Sequence, residues 1–452
     1  MTKRLGYFAI FGLVLISLAC MIAPGSHPAW ETGAVDTGDV AWVLTSTALV
    51  LLMTPGLSFF YGGMVRSKNV LSTMLQSFIA MGVVSVLWFV FGFSLSFGES
   101  IGGLIGNPFS FALFDNVGGA PHAEIATAIP FMLFAAFQLK FAIITPALIT
   151  GSFAERIRFW SYVIFMVLFA VLIYCPLAHW IWHPDGFLAQ LGVLDFAGGA
   201  VIHLSAGIAA LAGALVLGKR TSHANNELHE VSHIPYIILG TGLLWFGWFG
   251  FNAGSSLEAN DVAIVALLNT NMASATAMAV WILLDIINNK KPNSVGACIG
   301  AVVGLATITP AAGYVDIAYS IPIGLIAAVC SYYAVHVKNK SGVDDTLDVF
   351  PCHGVGGIVG MLLTGVFASE GGLLTTGSWT LLGVQALTVA IVSAYTFGGC
   401  WLIMKAIDWF VPLRVSFQDE LTGLDISQHN EALAEVLRSE EKAILLQAEA
   451  KN

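Results

Sequence analysis

Two histidines carry the strongest chemical signal in this 452-residue chain. His203 opens the run His203-Leu204-Ser205-Ala206-Gly207-Ile208, and His353 opens His353-Gly354-Val355-Gly356-Gly357-Ile358. Both lie in Gly-rich apolar segments, each preceded by an aspartate, Asp195 and Asp348. An imidazole is costly to place in membrane hydrocarbon and must face a partner or a cavity there. Two arrangements meet that need. The rings can face each other, one donating its N–H while each keeps a nitrogen for a passing molecule, so that the pair titrates as a unit. Alternatively, each ring bonds a carbonyl of a neighbouring helix. Other chemistry lacks its residues: the six cysteines form no CxxC or Cys/His spacing, and the loops hold no nucleophile–base constellation, metal cluster or phosphate loop. An enzyme, a cofactor and a nucleic-acid partner are therefore not expected.

The elements that position these histidines follow from composition. With 57% hydrophobic and 10% charged residues, 47 Gly, 30 Phe and 12 Trp, the chain is no soluble, disordered or fibrous protein. It reads as an all-α integral membrane protein whose helices pack through small residues and end in aromatic belts. Residues 1–24 begin with Lys3 and Arg4, continue through an apolar run and end in small residues, which predicts a cleaved signal peptide. Cys20 in that segment is read as an ordinary thiol. Eleven apolar stretches long enough to cross a bilayer core of about 30 Å follow, near 40–62, 70–97, 126–151, 159–182, 196–218, 234–254, 261–286, 294–310, 316–337, 351–370 and 379–405. The domains are thus a leader (1–24), an eleven-helix membrane domain (25–405) and a C-terminal tail (406–452).

Charge orients the spans. Arg66 and Lys68, Arg156 and Arg158, Lys219 and Arg220, Lys290 and Lys291, and Lys338 and Lys340 occupy every second loop, and the intervening loops contain no Lys or Arg. By the positive-inside rule, the mature N-terminus lies outside an inner (plasma) membrane and the tail in the cytoplasm. The outer loops are acidic, which either concentrates small cations or simply reflects the sorting of basic residues inward. With Lys405 counted with the tail, Lys140 is the one Lys or Arg that falls inside a span. His203 and His353 sit five spans apart, so their helices run in opposite directions. Spans 1–5 and 6–10 would then be inverted repeats with a site near the midplane.

The motifs resemble the ammonium transporter/methylammonium permease/Rhesus family. The resemblance rests on Phe60-Tyr61-Gly62-Gly63 with Lys68-Asn69-Val70-Leu71, on Ala154-Glu155-Arg156-Ile157-Arg158-Phe159, and on Asp195-Phe196-Ala197-Gly198-Gly199 through His203. It rests further on Trp248-Phe249-Gly250-Phe251-Asn252-Ala253-Gly254-Ser255 and on Asp344-Asp345 through Leu347-Asp348-Val349-Phe350 to His353-Gly354, and it covers residues 40 to about 430. It implies a homotrimer with one pore per protomer between the inverted halves. It assigns Trp182, Phe141, Phe251 and Ser255 to an outer site that holds ammonium by cation–π attraction and one hydroxyl acceptor. Phe141 and Phe251 would also gate the pore, and His203 and His353 would line it, relaying a proton or carrying ammonia. Asp195 would shape the vestibule without touching the ion, or cap the helix that follows; Asp345 and Asp348 could likewise cap the tenth span. Read without the motifs, Trp182 is an interfacial belt residue and the phenylalanines are packing. The resemblance also implies a PII-type signal protein as a cytoplasmic partner.

Two features depart from the family. Lys140 stands directly before the gate phenylalanine, where the family has a small or hydroxylated residue. It either snorkels away from the pore or modifies conduction. Beyond Gly423–His429 the tail continues through Glu431 to Asn452, with Leu433, Val436, Leu437, Ile444 and Leu445 forming an apolar stripe. Some family members fuse the transporter to a signalling domain and sense ammonium, which leaves a sensor module as the alternative to a transporter.

Overall fold

A computed structural model describes residues 2–22 and 34–433. The expected leader forms a helix, Thr2–Ile22, with most of its side chains exposed; the C-terminal residues of the apolar stripe, from Val436 on, lie outside the described residues. Among the described residues, ten helices are long and apolar enough to cross a membrane, and Ser294–Ile308 is a further, shorter apolar helix that falls between them in the chain. Labelled in chain order, they are α1 (Thr37–Met64), α2 (Ser67–Phe97), α3 (Phe131–Phe153), α4 (Phe159–Gln190), α5 (Gly199–Leu217), α6 (Ile234–Ser256) and α7 (Asp261–Ile287). The series continues with α8 (Ser294–Ile308), α9 (Ile317–Ser341), α10 (Phe350–Phe367) and α11 (Thr380–Phe410). These match the eleven stretches read from hydropathy, and they make the chain a multi-pass, all-α membrane protein.

Local chemistry explains where several spans begin. Asp36 caps α1, its carboxylate accepting the N–H groups of Gly38 and Asp39, while Asn260 caps α7 and Asn293 caps α8. The apolar faces of α7 and α11 remain exposed at Leu268, Leu283, Trp401 and Leu402, as a surface that meets lipid does. In contrast, α5 is almost wholly buried and forms the centre of the bundle with α3.

The two histidine-bearing helices, α5 and α10, cross at that centre. Each begins with a wide, π-type turn, Gly199–Leu204 in α5 and Phe350–Gly354 in α10, and each turn contains its histidine. Widened turns of this kind are rare and recur at functional sites. The crossing is close enough that glycine is required: a Cβ on Gly207 would lie 2.0 Å from the Gly354 nitrogen, and one on Gly357 would lie 2.7 Å from the Leu204 nitrogen. Gly207 and Gly357 thus lie on the contact surface itself, and they bring the two π-type turns face to face.

The aspartates before the two helices take different parts. The Asp195 carboxylate accepts N–H groups from Gly198 (2.9 Å), Gly199, Ala200 (2.8 Å) and Val201 (3.2 Å), capping the start of α5. Its counterpart at α10 is Asp345, which accepts the Phe350 N–H at 2.7 Å. Asp348, paired with Asp195 in the sequence reading, instead adopts φ +57° and forms an ion pair with Lys338 at 2.7 Å. Burial and the neighbouring Asp348 raise the Asp345 carboxyl above its usual range, against the lowering by Lys338 and by the backbone N–H groups.

On the face that carries the basic loops, the segment after α11 is strapped to the bundle. Val415 N–H donates to Arg156 O and Arg158 N–H to Leu413 O. Asp425 caps the start of α2 through the N–H groups of Leu71 (3.1 Å) and Ser72 (2.8 Å), and Leu424 N–H donates to the Asn69 side chain.

Candidate functional site

The site follows the axis where α3, α5, α6 and α10 meet. Phe141 on α3 and Phe251 on α6 are buried, with ring centroids 4.5 Å apart at 51°. Trp182, the last residue of α4 before the helix breaks at His183, meets Phe141 edge-on at 6.1 Å and 78°. Its indole N–H donates to Asp195 O at 3.0 Å, so the residue that caps α5 also fixes the tryptophan. Ser255 lies one turn beyond Phe251, and its hydroxyl donates to Phe251 O at 2.8 Å, which leaves the oxygen lone pairs free to accept. Trp182, Phe141 and Ser255, with Phe134, Phe196 and Gln138, line a cavity of about 160 Å³.

The histidines lie on the far side of the Phe141–Phe251 pair. The His203 ring stacks on Phe251 at 5.8 Å and 25° and on Trp248 at 5.2 Å and 23°. His203 Nδ1 and His353 Nδ1 are 3.3 Å apart, the rings being nearly parallel at 20°. This is the first of the two arrangements open to the sequence, a direct pair. A single proton between the two nitrogens satisfies both, since one ring donates and the other accepts. His203 Nε2 is buried and has no hydrogen-bond partner among the described residues. Buried polar atoms are rarely left so, and this one matches the nitrogen expected to be kept for a guest. Beyond His353, a cavity of about 10 Å³ lined by Tyr61, Cys352 and Leu347 has room for about one water.

The sequence-derived residues Trp182, Phe141, Phe251, Ser255, His203 and His353 therefore form one continuous file, with Asp195 supporting it from behind. Lys140 is not part of it. That side chain is half-buried, does not line the outer cavity and has no hydrogen bond or ion pair among the described residues. A residue adjacent to Phe141 on a helix points about 100° away from it, which accounts for the separation. Two file members escaped the sequence reading: Trp248, whose indole N–H is tied to Thr309 Oγ1 at 3.0 Å, and Gln138. Each lies three residues before an assigned phenylalanine, so helical spacing carried the signal for both.

Comparison with known proteins identifies the family and its fold. The model of the Ammonium Transporter Family matches residues 41–433. An ammonium transporter of Aquifex aeolicus is 47% identical over 408 residues, covering 88% of this chain and 93% of that protein. The crystal structure of Mep2 from Candida albicans superposes with a TM-score of 0.80 at 35% identity, covering 85% of this chain and 88% of Mep2. A structure described as a sensor Amt protein superposes equally well, with a TM-score of 0.80 at 30% identity, covering 87% of this chain and 98% of that one. By its motifs, its fold and its relatives, the chain belongs to the Ammonium Transporter Family.

Proposed function

We propose that the protein is an inner-membrane transporter that binds ammonium in the outer aromatic cavity and passes ammonia and a proton inward along the histidine pair. The observation that carries this reading is the file from Trp182 through Phe141 and Phe251 to His203 and His353, in which His203 Nε2 has no partner among the described residues. Aromatic faces attract a desolvated cation by about 0.5 to 2 kcal/mol each, and the Ser255 oxygen accepts one N–H. The closely packed, mutually tilted rings of Phe141 and Phe251 separate this cavity from the histidines, so the substrate passes only when those rings move. Past them the path is apolar except for the imidazoles. A charged ion is disfavoured there and a proton needs carriers, which the shared Nδ1 pair and the free Nε2 supply. The protein works as a homotrimer, with its basic loops and tail in the cytoplasm, where a PII-type protein can dock.

The test is the current evoked by an ammonium pulse in liposomes containing the purified protein, recorded on a solid-supported membrane with potassium as the control cation. A sustained, ammonium-specific current that scales with protein density is expected. Silence from a folded protein that still binds ammonium would overturn transport in favour of a sensor module signalling through the tail, a reading favoured by the likeness to the sensor Amt protein. Under that second reading Lys140 is a conduction modifier, and Lys140→Met would restore current.

A further inference from the structure

We infer that Gln138 is a second hydrogen-bond acceptor for the cation in the outer cavity, alongside the Ser255 hydroxyl. The inference rests on reading that cavity as the ammonium site. Ammonium carries four N–H donors and one charge, and on leaving water each donor needs an acceptor or an aromatic face. The lining is mostly aromatic and aliphatic. The Trp182 N–H is a donor already committed to Asp195 O, and Ser255 supplies a single oxygen.

Gln138 supplies the other. It lines the same cavity, and its Oε1 is buried with no hydrogen-bond partner among the described residues. An unpaired buried amide oxygen is destabilising, and a guest with N–H groups removes that cost. The backbone fixes its direction: Phe134, Gln138 and Phe141 follow one another at spacings of four and three along α3, and all three line the cavity. Lys140 is two residues on, about 200° around the helix, and stays out. An amide can present either end, and an ion with donors only selects the oxygen. The bound ion then has two oxygens for two of its donors and the faces of Phe141 and Trp182 for the others.

Calorimetric titration of the purified full-length protein with ammonium chloride tests this, using Gln138→Met, Gln138→Glu and a Trp182→Leu control. Met keeps the length and volume of the side chain but accepts no useful hydrogen bond, whereas Glu keeps an acceptor. Gln138→Met is expected to weaken ammonium binding by about tenfold or more, the scale of a hydrogen bond to a charged group, and Gln138→Glu to bind at least as tightly as the wild type. A role in packing alone predicts the reverse, because Met preserves packing and Glu brings a charge. If Gln138→Met binds like the wild type while Trp182→Leu binds more weakly, Gln138 is not a ligand. If the wild type itself shows no saturable heat with ammonium, the reading of the cavity fails before that of Gln138. Should the Met variant not fold, Gln138→Leu takes its place under the same criteria.

Discussion

His203 has Phe251 and Trp248 stacked against its ring and His353 at its Nδ1, so its orientation is set by packing and one nitrogen contact. Replacing it should alter the path with little effect on the fold. His203→Ala is expected to reduce the ammonium-evoked current at least about tenfold, equivalent to about 1.4 kcal/mol on the barrier, in a variant that elutes and melts like the wild type. Unchanged current in such a variant would remove the histidine pair from the mechanism. At the outer site, Trp182→Ala is expected to cost about 0.5 to 2 kcal/mol of ammonium binding through the lost cation–π face, and equal affinity would refute that contact. Lys140 belongs to the opposite class. Because it does not line the cavity, Lys140→Met should leave the half-saturating ammonium concentration unchanged; a shift would show that its charge is felt in the cavity from outside it.

At the level of the helices, the histidine pair depends on how closely α5 and α10 approach. Gly207 has the Gly354 backbone where a side chain would be, and backbone cannot move aside as a flexible side chain does. Gly207→Val should force the helices apart, separate His203 from His353 and abolish current, with a stability loss of about 1 to 3 kcal/mol from overpacking. A conducting, thermally unaltered variant would mean that the crossing is not what sets the pair. Much at this scale was legible in advance. Hydropathy located the ten long apolar helices and the shorter Ser294–Ile308 seen among the described residues, and the shared histidine pattern pointed to the crossing. The widened turns Gly199–Leu204 and Phe350–Gly354 were not legible, since they lie where segments about 150 residues apart in sequence meet. Which of Asp345 and Asp348 caps the tenth span, open between the two in the sequence, has the same origin: Lys338, from the preceding helix, claims Asp348. Gln138 was overlooked because motif matching followed the phenylalanines and passed over the polar residue on the same helical face.

Across the whole molecule, the basic loop residues that the sequence reading used only for orientation prove to join the loops to one another. Arg220 Nε donates to Asp344 Oδ2 at 2.9 Å, its terminal nitrogens reach Asp344 Oδ1 at 2.9 Å and Glu155 Oε2 at 3.0 Å, and all three residues are buried. The tail joins the cluster, because Arg414 pairs with Glu420 at 2.7 Å and Glu420 also accepts the Thr221 N–H. Burial alone would raise the Asp344 carboxyl. The Arg220 hydrogen bonds and the charges of Arg156 and Arg220 outweigh it and hold the group well below its ordinary 3.8, and Glu155 is likewise lowered from 4.5. A carboxylate with a depressed pKa in the folded state contributes stability that is present above its unfolded pKa and is lost as pH falls through the folded value. The melting temperature should therefore be level for these groups down to about pH 4.5 and decline below that, as Glu155 and then Asp344 take up protons. Asp344→Asn leaves the buried Arg220 guanidinium with Glu155 as its remaining carboxylate partner. It should cost about 3 to 5 kcal/mol at neutral pH and flatten the acid decline, since the group that titrates lowest has been removed. Thermal melts of both proteins between pH 3 and 7 measure this; parallel profiles, offset or not, would show that the acid sensitivity arises elsewhere and that this cluster does not hold the loops and tail together.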